Sequence, residues 1–135
     1  MNFDHIGIFV KNLKEGRKYF NLFFDIVDES QEYHDYNINV SVQFLYDKCG
    51  VCYEIVCPLG LGKDSPVDGA LLAKKNILNH MAYKVEEFDN KCMELRDNGC
   101  IPISNTNNAV AFNGARVIFF LTPLGFVIEI IEASK

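Results

Sequence analysis

The sequence is short of positive charge, of unbroken apolar runs and of paired cysteines, and each shortage closes off a class of function. Lysine and arginine number 13 against 18 aspartates and glutamates, for a formal net charge of −5. A protein that grips a phosphate backbone needs a Lys/Arg-rich face to release counterions, so nucleic acid is not an expected partner. The longest apolar region, residues 117–131, is broken by Thr122-Pro123-Leu124-Gly125 and by Glu129. Crossing a bilayer takes about 20 consecutive apolar residues, so no membrane association is expected. Met1-Asn2-Phe3-Asp4-His5 has no basic stretch leading into an apolar core, which argues against a secretory leader. The 5 cysteines are an odd number and, without a leader, read as reduced thiols in the cytoplasm. Cys49-Gly50-Val51-Cys52 has C-x-x-C spacing, but no second pair and no strand–helix redox context accompany it. Also lacking are a G-x-S-x-G elbow, a phosphate-binding glycine loop and a dinucleotide fingerprint.

What the sequence does have is a core and a repeat. Its 135 residues are 49% hydrophobic and 23% charged, enough for one compact domain. Slid along itself by 75 positions, Phe3-Asp4-His5-Ile6-Gly7-Ile8-Phe9-Val10 lies over Leu78-Asn79-His80-Met81-Ala82-Tyr83-Lys84-Val85. At the same offset Gly50-Val51-Cys52-Tyr53-Glu54-Ile55-Val56 lies over Gly125-Phe126-Val127-Ile128-Glu129-Ile130-Ile131. A constant offset that recovers a histidine, a glycine and a glutamate marks two copies of one supersecondary unit.

Each copy reads as β-α-β-β-β, an α+β arrangement in which residues 1–57 and 77–135 are the modules and 58–76 the linker. In the first, a strand over 5–10 precedes a helix opened by Asn12-x-x-Glu15 as a capping box. Leu13, Gly16, Phe20, Phe23 and Phe24 would share that helix's inner face. Strands follow at 26–33, 39–46 and 51–57. In the second, a strand over 79–85 leads to a helix over 87–98 with Phe88, Cys92 and Leu95 inward and Gly99 as its stop. Strands follow at 100–104, 115–121 and 126–132. The linker leaves room for a short helix near 69–74.

The glutamates are the anomaly. Glu54 and Glu129 each sit in a run that is otherwise apolar, where an unpaired carboxylate is costly or becomes protonated. Two such positions, matched by His5 and His80 at the same offset, call for a shared partner. One divalent cation held by His5, Glu54, His80 and Glu129 meets that need, and Ni, Co, Mn or Zn suits the ligand types. His34 has no repeat counterpart and lies in the polar run Ser30-Gln31-Glu32-Tyr33-His34-Asp35, where solvation accounts for it.

With these residues the chain resembles the vicinal oxygen chelate superfamily, the glyoxalase fold. The carriers are Asp4-His5-Ile6-Gly7-Ile8, Asn79-His80-Met81-Ala82-Tyr83, Phe126-Val127-Ile128-Glu129 and Glu54. The resemblance implies tandem βαβββ modules that form a cupped, barrel-like mixed sheet with helices outside. The methylmalonyl-CoA epimerase branch is most similar, through Cys57-Pro58-Leu59-Gly60, Asp64-Ser65-Pro66-Val67 and Asn113-Gly114-Ala115-Arg116. It implies metal-dependent proton transfer through an enediolate, with Glu129 and Glu54 as catalytic carboxylates and an acyl-CoA as substrate. Gln43 lies nearest the position of an extra catalytic glutamate in some epimerases, and Arg116 nearest the acyl-CoA. Phe9 stands where glyoxalase I, a lactoylglutathione lyase, carries an arginine for its glutathione adduct. That lyase is the second reading, and a binding protein that sequesters a small molecule the third. Strands carrying Phe119, Phe120, Ile128 and Ile130 are apolar on both faces, so helices or a partner chain must cover one, and the family implies a homodimer.

Overall fold

The computed structural model describes residues 1–60 and 65–134, so Asp64 of the linker motif lies outside the described residues. The chain divides into two compact units, one over Ile6–Asn79 and one formed by Met1–His5 with His80–Lys135. The fold is mixed α+β, with strand pairs mostly antiparallel.

In the first unit, β1 (Asn2–Phe9, whose first residues belong to the other unit) leads into α1 (Leu13–Phe23). Short strands β2 (Ile26–Glu29) and β3 (Tyr33–Asp35) follow, then β4 (Val40–Asp47) and β5 (Cys52–Pro58). The strand expected over 26–33 is therefore two pieces, both paired with β4, with a register shift between Ile26 and Asp28. The strands run β2-β4-β5-β1, and β1 pairs β5 in parallel. Asn12 caps α1 by accepting a hydrogen bond from the Glu15 backbone N–H at 2.7 Å. Leu13, Gly16 and Phe20 are buried as expected, but the helix ends at Phe23, and Phe23 and Phe24 are exposed. α1 packs on the face of the sheet that carries Leu45, Ile55 and Cys57. After β5 the helix α2 (Pro66–Ala73) starts three residues earlier than the sequence suggests. Ser65 and Asp68 form its capping box.

In the second unit, β6 (Leu78–Val85) is followed by α3 (Phe88–Asp97), β7 (Ile101–Pro102) and β8 (Asn107–Ala109). A 3-10 turn (Val110–Phe112) precedes β9 (Ala115–Leu121) and β10 (Val127–Glu132). The order is β6-β10-β9-β7, with β8 on β9 and β10 parallel to β6. Here α3 supplies the cover: Phe88 and Cys92 pack with Ile118, Phe120, Ile128 and Ile130. That apolar face needs no partner chain.

The two units repeat each other in register as well as in order. Glu54 pairs with Gly7 and Phe44, and Glu129 with Ala82 and Phe119. Every one of these positions is displaced by the same 75. The connecting turns also correspond: Gly50 and Gly125 both adopt positive φ, at 84° and 90°. A left-handed residue closes each turn, and glycine takes that conformation without a Cβ clash.

Candidate metal centre

Three of the four expected ligands meet inside the second unit. His5 comes from β1, His80 from β6 and Glu129 from β10. Alternation along β6 and β10 puts His80, Ala82, Glu129 and Ile131 on the face away from α3, over a floor of Ala82, Val117 and Ile131. His5 is fully buried, and His80 and Glu129 are 5% and 4% exposed.

The geometry is tight. His5 Nε2 lies 3.3 Å from His80 Nε2 and 3.2 Å from Glu129 Oε1, and His80 Nε2 lies 3.4 Å from the same oxygen. Asp4 Oδ2 stands 2.7 Å from His5 Nδ1. A carboxylate only accepts, so Nδ1 donates, and the lone pair of the neutral ring is left on Nε2. Burial works against the Asp4 charge, but the bond to His5 and the nearby Lys84 ammonium outweigh it and hold its pKa below the usual value. Among the described residues Glu129 Oε1 accepts no hydrogen bond.

The donor set fits a divalent transition metal. Three donors about 2.1 Å from one ion stand about 3.0 Å apart at right angles and about 3.4 Å apart at the tetrahedral angle. The observed separations of 3.2, 3.3 and 3.4 Å fall in that interval. Two imidazoles, which are borderline donors, and one harder carboxylate oxygen suit Zn, Ni, Co or Mn.

Glu54 is the corresponding carboxylate of the first unit. It is 7% exposed, on the face of β5 that carries Cys52 and Val56, and its parallel partner is Gly7. Phe9 lies buried on that same face, opposite Val56.

Gln43 is placed differently from the sequence expectation. Its register partner is Ile55, so it faces α1, away from the Glu54 side of the sheet. There Arg17 Nη1 donates to its Oε1 at 2.7 Å, and its Nε2 donates to the Ser30 carbonyl at 2.7 Å. Arg116 is also occupied. It donates to both Asp89 oxygens at 3.0 and 3.2 Å and to Glu132 Oε2 at 2.8 and 3.2 Å. Its guanidinium stacks 4.5 Å from the Phe88 ring centroid. The arginine thus ties α3 to β10. None of the five cysteines forms a disulfide, and Cys49 is exposed and the other four are buried.

Phe112 was not singled out by the sequence. Its ring lies parallel to His5, 5.7 Å between centroids and 12° between planes. It sits in the 3-10 turn, a segment with no match in the first copy, so neither periodicity nor the repeat marks it. Asp4 is visible as the neighbour of a candidate ligand, but adjacency alone assigns no contact.

Residues 4–119 match the family described as the Glyoxalase/Bleomycin resistance protein/Dioxygenase superfamily, and the chain belongs to it. No curated protein matches the chain by sequence. Among solved structures, the hypothetical protein BH1468 from Bacillus halodurans superposes with a TM-score of 0.83 at 21% identity, covering 99% of this chain and 95% of its own. A selenomethionine methylmalonyl-CoA epimerase gives a TM-score of 0.78 at 22% identity, covering 100% and 97%. A variant of the Streptomyces coelicolor methylmalonyl-CoA epimerase, in complex with 2-nitronate-propionyl-CoA, gives 0.76 at 20% identity, covering 100% and 99%.

Proposed function

We propose that the protein is a metal-dependent proton-transfer enzyme that epimerises an acyl-CoA of the methylmalonyl type. The observation that carries this reading is Glu129 Oε1, a buried oxygen without a hydrogen bond, set 3.2 and 3.4 Å from two imidazole nitrogens. With the His5 lone pair on Nε2, that nitrogen, the carboxylate oxygen and the second imidazole nitrogen converge as ligands do around one cation. Glu54 is the fourth ligand of the proposal. In its favour are its burial, its register match to Glu129 and its pairing with Gly7, two residues along β1 from His5. A divalent cation supplies Lewis acidity for negative charge that develops on substrate oxygens.

The chain's own residues then have distinct tasks. His5 and His80 hold position and stay neutral. Glu129 takes the proton from the carbon next to the thioester carbonyl, while the bonding electrons move toward the carbonyl oxygen. Glu54, its equivalent in the other copy, would enter the step as the neutral acid and give its proton to the opposite face of that carbon, and exchange with solvent would return both carboxyl groups to their starting states. One epimer becomes the other with no net loss of a proton. The apolar floor of Ala82, Val117 and Ile131 keeps water from competing for the site.

Similarity to epimerases, one of them bound to an acyl-CoA analogue, supports this substrate class over a glutathione adduct. So does Phe9, which is buried and uncharged and offers nothing to a glutathione carboxylate.

Proton exchange at C2 of methylmalonyl-CoA in deuterated water, followed by NMR, tests the proposal. The wild type should exchange that proton, lose the activity on chelation and regain it with Co, Ni, Mn or Zn. Turnover of the methylglyoxal–glutathione hemithioacetal without exchange on the acyl-CoA would establish the lyase reading instead. A protein that holds no metal and turns over neither substrate would sink both.

A further inference from the structure

We infer that Asp4 and Phe112 are positioning residues that fix, respectively, the tautomer and the ring plane of His5, with Lys84 bracing both. The consequence for metal binding rests on the reading above. The tautomer itself does not.

An imidazole on a strand has two freedoms that matter to a ligand: which nitrogen carries the proton, and how the ring is turned about its bonds to the backbone. The bond from Nδ1 to Asp4 Oδ2 at 2.7 Å removes the first, because the acceptor is a carboxylate. It does not remove the second, since a ring can tilt about a single hydrogen bond. Phe112 removes that one. Its ring lies nearly parallel to His5 at 5.7 Å, so tilting His5 would lose the stack or drive one ring into the other. A bond in the ring plane and a contact perpendicular to it leave Nε2 a single direction, toward His80 and Glu129.

Lys84 touches both restraints. Its Nζ lies 3.5 Å from Asp4 Oδ1, the oxygen His5 does not use, and 5.8 Å from the Phe112 ring centroid. One ammonium thus contacts both the carboxylate and the aromatic ring that restrain His5.

These restraints are particular to one half of the protein. The position equivalent to Asp4 in the second copy is Asn79, an uncharged amide, and the 3-10 turn that carries Phe112 has no counterpart among the described residues of the first copy. The two histidines that the repeat makes look alike therefore differ in their neighbours.

The experiment uses metal-free protein labelled with ¹⁵N-histidine. Two-bond ¹H–¹⁵N correlation spectra separate the Nδ1–H and Nε2–H tautomers, and His5→Gln assigns the His5 signals by difference. His5 should be the Nδ1–H tautomer in the wild type. Asp4→Ala should move it toward Nε2–H while His34, bonded to Ser41, keeps its spectrum. Co(II) titration followed by visible absorption should show that variant binding about 10–100-fold more weakly. Phe112→Leu should keep the tautomer and weaken Co(II) binding by about tenfold, the lower end of that range. If Asp4→Ala does not fold, the wild-type tautomer still decides the matter. A wild-type His5 protonated on Nε2 overturns the inference, as does an Asp4→Ala variant with unchanged tautomer and unchanged Co(II) affinity. A wild type that binds no Co(II) overturns the metal reading, while its tautomer still tests the role of Asp4.

Discussion

Glu54 and Glu129 are residues whose surroundings contradict their chemistry, and that contradiction is what makes them informative. Glu54 lies between Tyr53 and the buried Ile55, Glu129 between the buried Ile128 and Ile130, and each sits opposite a phenylalanine. Glu129→Gln keeps the shape and one ligand oxygen but removes the base. Proton exchange should fall by about 10²–10⁴ in kcat while much of the metal affinity stays, which Co(II) titration beside the exchange assay will check. Glu54→Gln is the companion: an equal loss identifies two shuttling carboxylates, and a small one leaves Glu129 as the single base. Arg116 carries the opposite lesson. With its donors on Asp89 and Glu132, Arg116→Met should change stability and leave KM for the acyl-CoA near the wild-type value.

At the scale of elements, the two covering helices are held by different means. α1 sits against the sheet through Gly16, where an added Cβ would stand 3.1 Å from Ile55 Cδ1 and 3.1 Å from Val10 Cγ2. Gly16→Val should therefore force the helix off its seat and cost about 1–3 kcal/mol, read from urea unfolding. α3 is tied to β10 by the Arg116 network, and this tie depends on pH. Hydrogen bonding and charge from Arg116 hold the pKa of both Asp89 and Glu132 below the usual carboxylate range. A depressed carboxylate pKa contributes stability that is present above the unfolded value and lost as pH falls through the folded one. The stability gap between wild type and Arg116→Met should accordingly be full at pH 7 and close below about pH 4. A gap of equal size at pH 7 and pH 3 would show that stacking on Phe88, not charge, holds the helix.

For the molecule as a whole, the proposed metal should act as part of the fold. The ligands proposed for it lie on β1, β5, β6 and β10, so a cation bound only by the folded chain would stabilise it by mass action. Adding Co(II) at about 100 times its Kd should raise stability by about 2.7 kcal/mol, and chelation should reverse the gain in a thermal melt. Assembly belongs to this scale too. The faces of β9 and β10 expected to need helices or a partner chain are covered by α3, which moves the argument for a homodimer elsewhere. Leu22 and Phe23, 68% and 69% exposed at the end of α1, and Val27, 67% exposed on β2, form a run of apolar side chains in water. A homodimer by sedimentation at micromolar concentration, weakened by Phe23→Asp, is the expected result. A monomer would remove that part of the reading.

Much of this was legible in the linear chain because repetition and alternation are linear properties. A shift of 75 residues paired the two histidines and the two glutamates, and a period of two put each glutamate on one face of its strand with apolar neighbours. The turn glycines and the order β-α-β-β-β follow from the same signals. What only the tertiary structure decided lies across strands or outside the repeat. Gln43 is polar among apolar residues, just as Glu54 is, yet the antiparallel register turns it to the α1 side, where Arg17 and Ser30 satisfy it. Alternation gives the face of a residue relative to its own neighbours, and pairing alone says which face that is. Phe23 and Phe24 fit a helical stripe, but the helix ends before the stripe meets the core. Arg116 reads as a free cation until the chain brings Asp89 and Glu132 to it. Phe112 reaches His5 from a short turn with no periodicity. A contact between groups distant in sequence is a property of the folded backbone path, and no local pattern encodes it.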